Sequence, residues 1–264
     1  HTLGRRNIAP VQSTTARRFA AENRRRVYQW GRRMDIDLNA DLGEGVGTDA
    51  AVMPLVTSAN VCCGLHAGGP SDIRDAIRLA MQHRVAVGAH PGFDDRANFG
   101  RAELPEPPAA LAATLAYQIG ALTAVARLAG IPVKYLKPHG ALYNQACRDD
   151  RFARPVAAAA LLNGLPVVGL PRSVLAEVCR ELNVAFVPEG FADRRYRPDG
   201  SLVPRSEPDA MIHDPAEALD QIDRLRELGV RTVCVHGDTP GAVAFTQAVR
   251  DGLVRRGYTL KAFA

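Results

Sequence analysis

The sequence predicts an α/β fold, a closed (β/α) barrel of seven or eight parallel strands, and three observations carry that prediction. Short apolar runs alternate with helical patterns from Met34 onwards, with no linker or fixed-period repeat between them. Four of the seven histidines fall just past the ends of such runs: His66, His90, His139 and His236. The first run alternates Asp37, Asn39 and Asp41 with Ile36, Leu38 and Ala40. Its polar side chains therefore share one face, which in a closed sheet points inward.

Taken in order, the strands are expected at IDLNA (36–40), VTSANV (56–61), VAVGA (85–89), VKYLK (133–137), PVVGL (166–170), VAFV (184–187) and TVCV (232–235), with YTLKAF (258–263) a weaker eighth. Between them, helical patterns cover 71–83, 109–129, 151–162, 173–182, 215–228 and 241–255. Two helix starts are signed by chemistry. Asp214-Pro215-Ala216-Glu217 offers an acidic cap, a proline in the first turn and a glutamate placed for a capping box, and Thr239-Pro240 repeats the cap and proline. Right-handed crossovers make all these strands parallel. With 264 residues and 47% apolar content the chain can bury one large core, so residues 34–264 read as a single barrel domain.

Residues 1–33 stand apart. They hold nine arginines and one acid, a charge of +8, whereas the 24 basic and 27 acidic residues that follow sum to −3. This leader lacks an apolar face and reads as a disordered or non-native extension; its composition also suits a targeting segment. The domain itself is mildly acidic, so neither a nucleic acid nor a membrane surface is expected as its partner. The run AALAATLAYQIGALTAVARLAG comes closest to a membrane span, but it reaches its length with alanine and stops at Gly130 and Pro132. Five scattered cysteines with no C-x-x-C pair encode neither a disulfide framework nor a zinc ribbon, which fits a reducing cytoplasm.

In a (β/α) barrel the carboxyl ends of the strands converge on one face, and that face carries the chemistry. The stretch KYLKPHGALYN (134–144) shows how: Pro138 cannot donate to a ladder and Gly140 frees the backbone, leaving Lys137 and His139 at the rim. Glu44, Asn60 and Asp238 lie beside the same strand ends. Asp37 and Asn39 read equally well as hydrogen-bonded plugs of the barrel floor, while Asp41 and Glu44 stand nearer the rim. The passage from His236 through Asp238 and Thr239 into a helix start offers N–H groups to an anion. Neither G-x-G-x-x-G nor G-x-x-x-x-G-K-[ST] occurs, so the chain alone is not expected to hold ATP in the usual way. Asp41, His66 and His90 could supply a metal with ligands, without a diagnostic spacing. The long connection at 189–212 offers Arg194, Arg195 and Arg205 to a carboxylate or phosphate, or else a solvated excursion.

Nine blocks in order, DLNADLGEG, SANVCCGLHAGGPSD, GAHPGF, FGR, YQIGAL, KPHGALYN, FADRRY, DG-LVPR and CVHGDTPGAV, resemble the bacterial LamB/YcsF lactam-utilisation family, the A component of 5-oxoprolinase. The resemblance spans roughly residues 35 to 262. Departures are few: the family usually has Cys at Ala40, Ala at Cys62, Phe at Leu65 and Asp at Gly69, the last a possible ligand or helix cap. The resemblance implies a barrel of the glycoside hydrolase/deacetylase kind and ATP-dependent opening of 5-oxo-L-proline to L-glutamate, carried out with separate B and C subunits that handle ATP. On this reading Asp41, His66, Lys137, His139 and His236 are expected as catalytic, and Asn39, Glu44, Asn60, His90, Arg101, Asn144, Asp238 and Thr239 as substrate-binding. Asp41 or His66 is expected as general base and His139 or His236 as the donor to the leaving group, with Lys137 stabilising negative charge. A metal-dependent deacetylase or amidohydrolase acting alone, and a noncatalytic lactam-binding regulatory subunit, are the competing readings.

Overall fold

The computed structural model describes residues 34–237 and 241–264. Seven parallel strands close into a barrel in sequence order: β1 (Asp35–Leu42), β2 (Ser58–Cys62), β3 (Ala86–His90), β4 (Val133–Leu136), β5 (Val167–Gly169), β6 (Phe186–Phe191) and β7 (Thr232–Val235). Closure comes from β1, which pairs with β2 through Asp41 and Asn60 and with β7 through Asn39 and Cys234. A two-residue β8 (Thr259–Leu260) joins the lower end of β1. The Ile36 carbonyl accepts from the Lys261 N–H and the Leu38 carbonyl from the Thr57 N–H, so β8 and β2 share one edge of β1.

Helices cover the outside: α1 (Asp49–Val52), α2 (Pro70–His83), α3 (Pro108–Leu128), α4 (Gly140–Arg148), α5 (Asp150–Asn163), α6 (Val174–Glu181), α7 (Pro215–Glu227) and α8 (Ala242–Arg255). The Asp214 side chain accepts from the Ala216 N–H at 2.9 Å, the cap that the sequence signs, worth about 1 kcal/mol. Gly69 stands at the N-cap of α2, where it offers no side chain to the orphan N–H groups. Among the described helices only α3 is long and apolar enough to cross a membrane. It packs Leu111, Leu115, Ile119, Leu122 and Ala126 into the shell around the barrel.

Three expectations need correction. The weak eighth strand shrinks to two residues, because the chain beyond it turns under the barrel and Phe263 packs on Tyr135 at 4.9 Å. Phe263, Tyr135, Val168 and Val187 form an apolar floor, and burying the Phe263 ring contributes roughly 2–3 kcal/mol. The sixth strand does not end with its apolar run but continues through Glu189 to Phe191. Helix α4, directly after His139, is absent from the helical patterns read from the sequence, which resume only at 151.

Candidate active site

Above that floor the barrel interior turns polar. Asn39 and Asn60 are buried, and Asn60 Nδ2 donates to Asn39 Oδ1 at 2.6 Å and Asp41 Oδ1 at 2.8 Å. Tyr135 O–H donates to Asn60 Oδ1 at 2.8 Å, tying the floor to this layer. Asn39 Nδ2 donates to Glu189 Oε1 at 3.0 Å. Asn39 and Asn60, expected at the substrate with Asn39 read equally as a floor plug, lie outside the cavity lining and bond the carboxylates of Glu189 and Asp41.

The next layer lines a cavity of about 810 Å³ at the carboxyl ends of the strands, whose base is made by Asp41, His90, Lys137, His139 and His236. Lys137 is buried, with its ammonium 2.9 Å from Glu189 and 3.2 Å from Asp41. Burial works against its charge, but Asp41, the Cys234 sulfur and Glu189 outweigh it and hold the ammonium protonated well above its usual range. Burial likewise opposes ionisation of Asp41, and His90 and Lys137 overcome it, holding the carboxyl well below the usual carboxylate range.

The proton count of the next pair follows from its acceptors. His90 Nδ1 lies 2.8 Å from the Lys137 carbonyl and His139 Nε2 lies 2.8 Å from the Phe99 carbonyl. A carbonyl only accepts, so both nitrogens carry protons. The two remaining nitrogens, His90 Nε2 and His139 Nδ1, face each other at 2.9 Å. Two lone pairs at that distance repel, so the gap calls for a cation: with no metal bound, one proton lies between them and the pair holds a single positive charge. Burial, then the neighbouring His66 and His90, push the His139 pKa well down, and His90 Nε2 also lies 3.3 Å from Asp41.

His66 stacks on His139 with ring centroids 3.9 Å apart and is itself fully buried. Its Nε2 lies 3.3 Å from Glu44, and burial together with His90 pushes its pKa down to about 3. It lies behind His139, off the cavity lining, and Glu44 lies beside it. Gly100 makes this stack possible: at φ +65° it sits so close that an added Cβ would meet His66 Cβ at 2.7 Å and His139 Cδ2 at 2.9 Å.

On the other side of the cavity, Asp193 clamps His236. Its oxygens lie 2.9 Å from His236 Nδ1, and it also accepts the His236 backbone N–H at 2.9 Å. A carboxylate acceptor puts the ring proton on Nδ1 and the lone pair on Nε2. Neither Asp193 nor Glu189 stands among the residues singled out from the sequence. The pattern Val187-Glu189-Phe191 was the available signal, since all three point into the barrel as the first strand does.

Arg101 and Asn144 line the cavity wall. Asp238 and Thr239 lie outside the described residues. The connection after β6 is ordered by short antiparallel bridges, Arg194 with Met211 and Tyr196 with Leu202, and it forms one wall of the cavity. Of its arginines, Arg194, Arg197 and Arg205 line the cavity, Arg197 while paired with Glu207, and Arg195 pairs with Glu217 outside it. Burial pushes the Cys62 thiol up to about 12, so it is no thiolate nucleophile at neutral pH.

Ligand atoms close enough for a cation come from Asp41, His90 and His139, from Glu44, His66 and His139, or from Asp41, Cys234 and His236, each set within 4.8 Å. The trio expected from the sequence, Asp41, His66 and His90, is not among these groupings of the described residues: His66 joins Glu44 and His139 instead. In the first set Asp41 also takes the Lys137 ammonium at 3.2 Å, so a cation held by Asp41, His90 and His139 would share that carboxylate with the lysine.

Among known proteins, a lactam utilization protein from Thermus thermophilus is 42% identical, covering 87% of this chain and all of its own, with a TM-score of 0.80. A family 4 carbohydrate esterase from Streptomyces lividans aligns over 87% of this chain and 93% of its own at 10% identity, with a TM-score of 0.44. The T48 deacetylase aligns over 86% and 87% at 14% identity, with a TM-score of 0.45. The pattern of the LamB/YcsF family runs through residues 36–264, and the chain belongs to that family.

Proposed function

We propose that this chain is the lactam-binding, water-directing component of an ATP-dependent 5-oxoprolinase, converting 5-oxo-L-proline to L-glutamate together with separate B and C subunits that supply ATP-driven phosphorylation. Family membership and a 42% identical lactam utilization protein support the lactam as substrate class. One observation carries the mechanism: two proton-handling centres of opposite sense face one cavity. His236, oriented by Asp193, presents a lone pair, and the His90–His139 pair stores a proton, with Asp41 within 4.8 Å of ligand atoms on both sides.

A five-membered lactam is an unstrained amide and a poor electrophile. Phosphorylation of its carbonyl oxygen forms a C–O–P bond, releases ADP and makes the ring carbon attackable. His236 then takes a proton from water as it adds to that carbon, and Lys137 stabilises the developing negative charge. The tetrahedral adduct has two leaving groups. If phosphate departs, the lactam returns and ATP is wasted. If the ring nitrogen departs, the product is a glutamyl phosphate, which a second water converts to glutamate and inorganic phosphate. The stored proton decides between them, because an amine leaves only when protonated.

The test uses the reconstituted three-subunit enzyme. His139→Gln keeps a donor for the Phe99 carbonyl but removes the facing nitrogen. Glutamate release should fall by at least about a hundredfold, and the ratio of ATP consumed to glutamate formed should rise. Unchanged glutamate release overturns the assignment, and chelator-sensitive turnover without ATP would favour a metal-dependent amidohydrolase instead.

A further inference from the structure

The cavity is larger than a nine-heavy-atom lactam needs, falling within the range that holds drug-sized ligands. Its charge is also uneven. Six arginines, Arg101, Arg148, Arg172, Arg194, Arg197 and Arg205, line it against two acids above the histidines, Glu103 and Asp199; Glu103 is paired with Arg148 at 2.5 Å and Arg197 with Glu207. Arg194 stands out because its residue is only 6% exposed. Its Nη2 donates to the Val203 carbonyl at 2.5 Å, and its Nε has no acceptor among the described residues. Burial, followed by the charge of Arg205, pushes Arg194 down to about 10, with Arg101 adding to the repulsion and Asp193 opposing it. A buried guanidinium nitrogen left without an acceptor favours a ligand that supplies one, and an anion supplies it best. The first turns of α4 and α6 line the same cavity through Gly140, Ala141 and Ser173, and their N-terminal ends add to the positive potential.

We infer that Arg194, with Arg101 and Arg205, forms a phosphoryl subsite on the upper wall of the cavity, which takes the dianionic group carried by the activated lactam. The inference rests on the reading above for the identity of that carrier. Its chemistry is that of a tetrahedral dianion met by planar forked donors, which match phosphate oxygens two at a time. The lactam ring then lies between this wall and the base, with its carbonyl carbon towards His236 and Lys137.

The experiment titrates inorganic phosphate into the purified chain by calorimetry. One equivalent should bind, and Arg194→Met should weaken it by at least about tenfold, while Arg195→Met, whose side chain is engaged with Glu217 outside the cavity, should leave it unchanged. Arg205→Gln, at a less buried position, gives the same readout should Arg194→Met fail to fold. No phosphate binding by the wild-type chain, or equal binding by a folded Arg194 or Arg205 variant, overturns the subsite. A parallel titration with ATP separates the sources. If ATP binds more tightly than phosphate with the same dependence on Arg194, the wall is a nucleotide site and the assignment to the lactam fails. If Arg194→Met weakens only free 5-oxoproline, the wall reads the ring carboxylate and the subsite is again overturned. Phosphate binding with no glutamate formed by the three-subunit enzyme would sink the proposed activity and leave the subsite standing.

Discussion

Asp37 and Asp41 stand on the same inward face of β1, four residues apart, and their carboxyl groups are pushed in opposite directions. Burial dominates at Asp37, whose partners are hydroxyls only: Ser58 and Thr57 at 2.6 Å and Thr232 at 2.5 Å. Its pKa rises from 3.8 to about 6. Burial also opposes the charge on Asp41, yet His90 and Lys137 reverse the outcome. The difference teaches that a buried carboxylate marks a reactive centre here only where cations come with it. Three hydroxyls satisfy the lower one as a structural plug, and an ammonium with a neighbouring histidine turns the upper one into the hub of a site.

The largest effect should come from removing the cation that separates the two environments. Lys137→Met leaves Asp41 and Glu189 buried without their ammonium, and urea unfolding should show a loss of about 3–5 kcal/mol together with background turnover. Wild-type stability in that variant would mean that the upper carboxylates are not held by this charge. Next comes Tyr135→Phe, which keeps the ring contact with Phe263 but removes the donor to Asn60. A destabilisation of about 1–3 kcal/mol is expected, with turnover reduced by roughly tenfold or less because Asn60 also donates to Asp41.

The smallest effect on turnover belongs to Asp37→Asn, and its signature is a change in pH dependence. The folded state holds the Asp37 proton more tightly than the unfolded chain does. This group therefore favours the fold most below about pH 4 and progressively less as the pH rises through about 6. The difference amounts to about 3 kcal/mol across that window. In the Asn variant that fall should vanish from stability measured between pH 4 and 7, while turnover at pH 7 stays as in the wild type. An unchanged pH profile would show that hydroxyl donors alone hold Asp37 ionised.

Much of the barrel is legible because its signals are local. Alternation in Asp37-Leu38-Asn39-Ala40-Asp41 fixes the inward face, and Gly and Pro mark where His90 and His139 leave their strands. The site is less legible where local chemistry and position disagree. Pro188 and Gly190 argue against a strand, so Glu189 reads as loop although the barrel buries it against Lys137. Asp193 looks like one polar residue in an arginine-rich run until β7 brings His236 to it, 43 positions on. His66 shares its motif with the other rim histidines, and only packing shows that it sits behind His139. The proton between His90 and His139 depends on two backbone carbonyls, Lys137 and Phe99, which no side-chain pattern encodes.

Because β1 finds its closing partner in β7 near the far end of the chain, closing the sheet joins residues about two hundred positions apart. Long-range pairing of this kind is slow, and its entropy must be met before the contacts reward it. During synthesis on the ribosome, the open sheet would wait with the free edge of β1 exposed while the later strands emerge. A newborn chain of this family thus passes through a sticky stage before it can bind anything, and its yield in the cell should depend on chaperones more than its finished stability suggests.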